Sequence, residues 1–209
     1  KTIKIDDPEV VDDGKELVGQ EWGVKIIGAQ KVWADGNIGQ GVAIKRNFRG
    51  PYGWYDPQNK STEPNDPSGH GTHTMGTIAG AKGVGVAPGA TWMSCKMSLD
   101  ADGYIFESNI VDCAQWILCP TDTQGENADC AKAPHVVNNS WGGPGGDNWF
   151  KAAVDAWVKA GIIPVFSAGN SGRDGCSTAG SPGDYPNVIG VGSTTSTDLL
   201  SPFSGKGPT

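Results

Sequence analysis

The sequence predicts an α/β fold in which crossover helices join the strands of a parallel sheet, and two patterns carry that expectation. Short apolar runs at 42–44, 91–97, 136–139, 162–167 and 188–192 have the length of buried strands. Between several of them lie stretches with apolar residues at helical spacing. The 32 glycines and 14 prolines stay just below the level of low-complexity chains, and 37% hydrophobic residues with eight tryptophans suffice for one substantial core. One domain without internal repeats is expected over 21–209, preceded by an acidic arm over 1–20 whose stretch from Asp6 to Glu16 reads as solvated.

Each element has its own signal. Ile110, Val111, Ala114, Ile117 and Leu118 fall on one face of a helix that Ser108 could cap. Trp149, Phe150, Ala153, Val154, Trp157 and Val158 form the apolar face of a second helix, which Gly161 ends. Pro164 has no amide to give to a ladder, so the strand at 162–167 starts near it or carries a bulge. Five cysteines without a Cys-x-x-Cys pair argue against a zinc ribbon or a thioredoxin-type site, and an odd number leaves at least one thiol unpaired. Cys119 and Cys130 bracket a polar stretch that a disulfide could close in an oxidising compartment; two ordinary buried thiols are the alternative.

Charge excludes some partners. Acidic side chains outnumber basic ones 23 to 16, and a net charge of -7 repels phosphate backbones, so nucleic acid is not an expected partner. No apolar run approaches the roughly 20 residues that cross a bilayer, and the first seven residues lack the apolar core of a signal peptide. The expectation is a soluble chain, without a membrane partner, whose export signal has been removed.

Three segments carry chemistry. The stretch SGHGTHTMGTIAG over 68–80 is a helix of small residues, suited to a crowded interior, with His70 in its first turn. A helix N-terminus disfavours a protonated imidazole, so a His there that must accept a proton needs a nearby carboxylate. His70 could instead merely cap the helix, or with His73 and His135 bind a metal, although the i, i+3 spacing lacks the Glu of a zinc-protease helix. The second segment, 136–144, runs from a strand into Gly142 and Gly143, where an extended ligand could approach the main chain and add a strand; an ordinary tight turn is the alternative. The third, 165–172, ends a strand in Ser167, Ala168, Gly169 and Asn170, and an Asn there can donate to an oxyanion or simply make a turn. A nucleotide loop at 83–89 is a poorer reading, because the last glycine is displaced and Pro88 stands where a helix should start.

In order and wording the three segments resemble the subtilisin-like serine proteases from about Glu21 to Thr209. The resemblance implies a three-layer fold, with helices on both faces of the mainly parallel sheet. It also implies His70 as general base, Asn170 as oxyanion donor, Ser140, Trp141 and Gly142 as the strand that pairs with substrate and lines the primary pocket, and Ser167, Ala168 and Gly169 as its opposite wall. Asp102, Gly103 and Tyr104 resemble the other strand edge flanking the peptide, and Trp141 stands where the family places a large apolar residue near a distal subsite. Polypeptide substrates, secretion, a monomer and a possible propeptide or protein inhibitor follow from the same resemblance; no cofactor is required.

Three departures qualify it. The family ends its first core strand in an Asp-Thr/Ser-Gly motif, but here 41–44 runs into Lys45, Arg46 and Asn47, and a cation there would repel the imidazolium formed in catalysis. The segment from Asn47 to Asp56 resembles family sequence lying beyond that motif, so omission of one or two dozen residues is expected rather than substitution. Asp66, four residues before His70, matches a loop acid of the family and not the missing one. The chain is also truncated before the family's Gly-Thr-Ser-x-Ala nucleophile motif, and Ser201 and Ser204 belong to the preceding region. The Asn-rich loop with which many members hold calcium is shortened to 80–83, so calcium remains conceivable only at sites without identified ligands. The 209 residues alone are therefore expected to be nearly inert, and a catalytically dead peptide-binding protein is the rival reading.

Overall fold

The computed structural model describes residues 2–4, 21–37, 50–97 and 104–209. Its centre is a parallel three-stranded sheet, β5 (Val136–Asn139), β6 (Ile163–Ser167) and β7 (Ile189–Val191), in the order β5-β6-β7. β5 pairs with β6 from Val136↔Ile163 to Asn139↔Phe166, and β6 with β7 from Val165↔Ile189 to Ser167↔Val191. Pro164 is accommodated as the second residue of β6. The Ile163 amide bonds His135 O at 2.9 Å, on the β5 side. The amide that Pro164 lacks would therefore point toward β7, whose pairing begins only at Val165.

Two helices cover this sheet, α4 (Glu107–Leu118) and α5 (Lys151–Lys159). α5 keeps most of the expected pattern, with Phe150, Val154 and Trp157 at most 1% exposed, but Val158, expected on the same face, is exposed; the chain leaves through Gly161 at φ +81°. α4 departs from expectation at its start, because Phe106 and not Ser108 is the N-cap, without a side-chain cap bond, while Glu107 supplies the favourable first-turn charge. Its buried face runs through Asn109, Ile110, Cys113, Ala114 and Trp116, leaving Val111 exposed. The Trp157 indole amide reaches Ala114 O at 3.0 Å and locks the helices together. Around Trp157 gather Phe150, Phe166 and Trp141, with edge-on contacts of 5.0–5.5 Å from Trp141 to both phenylalanines.

A second, two-stranded parallel sheet pairs β2 (Trp54–Tyr55) with β3 (Ser94–Cys95), which lies within the strand expected over 91–97, where Thr91 and Trp92 also form β-bridges. The strand expected at 42–44 lies outside the described residues. A disulfide joins Cys95 of β3 to Cys113 of α4, a link no local pattern announces, and a second one closes the Cys119–Cys130 loop; Cys176 is the free, exposed thiol. Near the N-terminus, α1 (Trp22–Ile26) and α2 (Ala29–Ala34) pack on each other. Within the arm, β1 (Thr2–Lys4) pairs antiparallel with β4 (Tyr104–Phe106), and the stretch from Asp6 to Glu16, expected to be solvated, lies outside the described residues. No helix among the described residues is long and apolar enough to cross a membrane.

Adjacent positions on α5 test the core assignment. Trp157→Ala should lower the unfolding free energy by about 3–5 kcal/mol in urea titrations, whereas Val158→Ala, at a 42% exposed position, should stay within about 0.5 kcal/mol.

Candidate active site

The 68–80 segment forms α3 (His70–Ala79), with His70 as its first helical residue. Gly69, at φ +79°, is the N-cap position but has no side chain to cap with. Asp66 fills that role: its carboxylate accepts from the amides of Gly69 (3.1 Å) and Thr72 (2.7 Å) and from the hydroxyls of Ser68 and Thr72. His70 is therefore not the cap. Nor is Asp66 an acid waiting for the imidazole, since both its oxygens are taken up by the helix start. Burial pulls the Asp66 carboxyl up, but the bonds from Thr72, Ser68 and Gly69 outweigh it and hold the group below the usual carboxylate range.

The loop carrying Asp66 hangs on a buried ion pair. Asp56 at the end of β2 is 1% exposed and lies 3.8 Å from Lys96 Nζ. Burial raises its pKa, yet the bonds from the Asn59 amide, the Ser61 hydroxyl and the Gln58 amide, with the Lys96 charge, depress it overall. Lys96 also donates to Asn65 Oδ1, next to Asp66. In this way α3 starts from a chain of polar contacts.

Packing contributes less than expected. The crowded interior anticipated for this helix is not found: Gly71, Thr72, His73 and Thr77 are exposed and only Ala79 is buried. Its inner side, with Thr74, Met75 and Ile78, lines a cavity of about 430 Å³ among the described residues. Side chains this small cannot fill such a space from one side. The opposite wall comes from β3 and from Val136 to Trp141, so the cavity separates the two parallel sheets. His70 lines it together with Asn138, Asn139 and Ser140. His70 and the end of β5 thus meet at one cavity.

At the carboxyl end of β5, Asn138 Nδ2 donates to Ser140 Oγ at 3.0 Å. Trp141 turns inward, 5% exposed, into the aromatic cluster, and its indole amide has no partner there. Parallel pairing with β6 brings Ser167, Ala168, Gly169 and Asn170 to the same end of the sheet. Asn170 is exposed there and lies outside the lining of the cavity.

A segment that sequence reasoning did not single out joins the two walls. Gly143 N donates to Ser181 O (2.8 Å), and Gly180 N donates to Ala168 O (3.0 Å). A Cβ on Gly142 would stand 2.9 Å from Ser181 O, and one on Gly180 only 2.6 Å from Gly143 O. Only glycine allows this approach, and the Gly180-Ser181-Pro182-Gly183 string was its one local signal. Gly103 lies outside the described residues, and Tyr104 opens β4. Ser201 and Ser204 are buried within hydrogen bonds to Ser193. Among the described residues no three His, Cys, Asp or Glu side chains gather as a metal site would require.

A family model described as the subtilase family matches residues 43–209. The chain is 35% identical to bacillopeptidase F of Bacillus subtilis over 228 aligned positions, which cover 93% of this chain and 16% of that protein. It is 37% identical to subtilisin E of the same species over 147 positions, covering 68% of the chain and 35% of the relative. Subtilisin DY of Bacillus licheniformis is 32% identical over 200 positions, 89% of the chain and 68% of that protein. The chain thus spans about a sixth and about a third of the length of the first two relatives.

Because Asp66 is the cap, Asp66→Ala should weaken the first turn of α3 by about 1–2 kcal/mol, read as roughly 5- to 30-fold faster exchange of the Thr72 amide. Asp66→Asn should keep most of the protection. Since the folded carboxyl is depressed, its contribution is present above the unfolded pKa near ~3.9 and is lost as pH falls through the folded value. Wild-type exchange at Thr72 should therefore quicken only as pH falls below about 4, after correction for intrinsic rates.

Proposed function

Since the chain belongs to the subtilase family, we propose that it is part of a secreted serine endopeptidase, in which His70 is the general base and Asn170 donates to the oxyanion. The observation that carries this reading is the placement of His70 and the Ser140 end of β5 on one cavity, with the Asn170 end of β6 brought to the same side by parallel pairing. In the complete enzyme a serine attacks the peptide carbonyl, His70 accepts its proton and returns it to the leaving amine, and Asn170 stabilises the tetrahedral oxyanion. The polypeptide lies extended between the Tyr104 edge and the 140–142 wall. Two disulfides favour an oxidising, extracellular setting.

The orienting aspartate belongs to a piece absent between Ile44 and Lys45. One observation supports omission. The alignment with bacillopeptidase F runs over 228 positions although the chain has only 209, so that relative carries residues opposite gaps in this sequence. Without acid or nucleophile the rate should fall by about 10⁴–10⁶, a scale measured on subtilisin itself.

Incubated with casein, the 209-residue chain, its length checked by intact mass, should hydrolyse no more than its His70→Ala form; cleavage above that control contradicts the proposed division of labour. Fluorophosphonate applied to the natural protein should label a serine in a Gly-Thr-Ser context downstream of Thr209. A natural protein that binds peptides but takes no label would instead support the non-catalytic reading.

A further inference from the structure

Asn170 sits on a turn that a second segment clamps on both sides. β6 ends at Ser167, and beyond it Gly205 N donates to Gly169 O while Gly172 N donates to Phe203 O, both at 2.8 Å. The two backbones touch: a Cβ on Gly172 would stand 1.8 Å from Ser204 O, and one on Gly205 2.0 Å from Ala168 O. Lys206 adds a charged hold, because its Nζ donates to Gly172 O at 2.7 Å. Its main chain is fixed elsewhere. Lys206 O accepts from the amides of Thr178 (2.8 Å) and Ala179 (3.0 Å), and Lys206 N donates to Thr178 Oγ1 at 3.1 Å. Those residues lead directly into Gly180, which bonds Ala168 O. The Lys206 side chain therefore spans from the segment that joins the pocket walls to the turn that carries Asn170.

We infer that Lys206 is a positioning residue for Asn170, bracing the 169–172 turn against the pocket wall. The inference rests on the reading of Asn170 as the oxyanion donor. Such a donor must stand about 2.7–3.1 Å from an oxygen whose charge develops only in the transition state. Neutral amide bonds at Gly169 and Gly172 set the path of the turn. The ammonium bond to Gly172 O is charge-assisted, roughly twice as strong as a neutral one, and stiffens the side of the turn that follows Asn170. Without that charge the carboxamide drifts from its place while the pocket itself remains, so the cost falls on the chemical step and not on substrate binding.

The test is a double-mutant cycle in the natural, longer protein, with Lys206→Met, Asn170→Ala and their combination, each shown to be folded by circular dichroism. Lys206→Met keeps the length of the stem and removes the charge; Lys206→Gln replaces it where the methionine variant does not fold. The expected result is a kcat lowered roughly tenfold with KM little changed, restored for the most part by Lys206→Arg, and a further loss below about twofold once Asn170 is alanine. An equal loss in both backgrounds, an unchanged kcat or a loss confined to KM overturns the positioning role while leaving Asn170 as the donor. No effect of Asn170→Ala alone removes the oxyanion reading and the positioning role with it. Amide exchange at Gly172 and Gly205 reads the brace without reference to catalysis: it should quicken in Lys206→Met, and unchanged exchange shows that Lys206 does not hold the turn.

Discussion

Parallel hydrogen bonding between β5 and β6 sets the position of nearly everything at the candidate site. The register from Val136↔Ile163 to Asn139↔Phe166 puts Val137 and Phe166 into the core together, and a slip of one residue would turn the inward residue of the slipped strand outward. Two features oppose such a slip. The Asn139 amide, itself buried, crosses the pair to donate to Val165 O at 3.2 Å. Phe166 meets Trp141, Phe150 and Trp157, drawing the strands and α5 into one aromatic cluster. With the apolar residues so committed, the small and polar residues at the end of each strand emerge together at the carboxyl side, where open parallel sheets generally bind ligands.

The imidazole side of the site is built differently. α3 is fixed through Asp66 and, behind it, through Asn65, Lys96 and Asp56, while its inner face lines the cavity shared with β5. Charged hydrogen bonds fix direction well, but they do not replace close packing on a neighbouring element. The two halves of the site therefore differ in kind, one a packed sheet edge and the other a capped helix beside a cavity.

Legibility in the sequence divides along the same line. β5 matches its apolar run residue for residue, and α5 buries Val154 and Trp157 as predicted though not Val158, because both signals arise from burial within the segment itself. The Cys119–Cys130 bridge was one of two open alternatives for a short polar stretch, whereas Cys95–Cys113 joins a strand to a helix that only the fold brings together. The exposure of α3 ran against expectation because small residues signal close neighbours without saying whether the neighbours are there. Ser108 had the chemistry of a cap, but the chain enters α4 directly from β4, which makes Phe106 the boundary. The joining of the two pocket walls through Gly180 and Ser181 depends on non-local backbone contacts, which no periodicity records.

The central claim is that the end of β6 faces the same scissile carbonyl as His70. The most direct measurement is kcat and KM of the natural, longer protein carrying Asn170→Ala. Loss of one oxyanion donor should lower kcat by about 10²–10³, a scale known from subtilisin itself, with KM little changed. An unchanged kcat, or a loss confined to KM, would place Asn170 away from the reacting carbonyl and contradict the account.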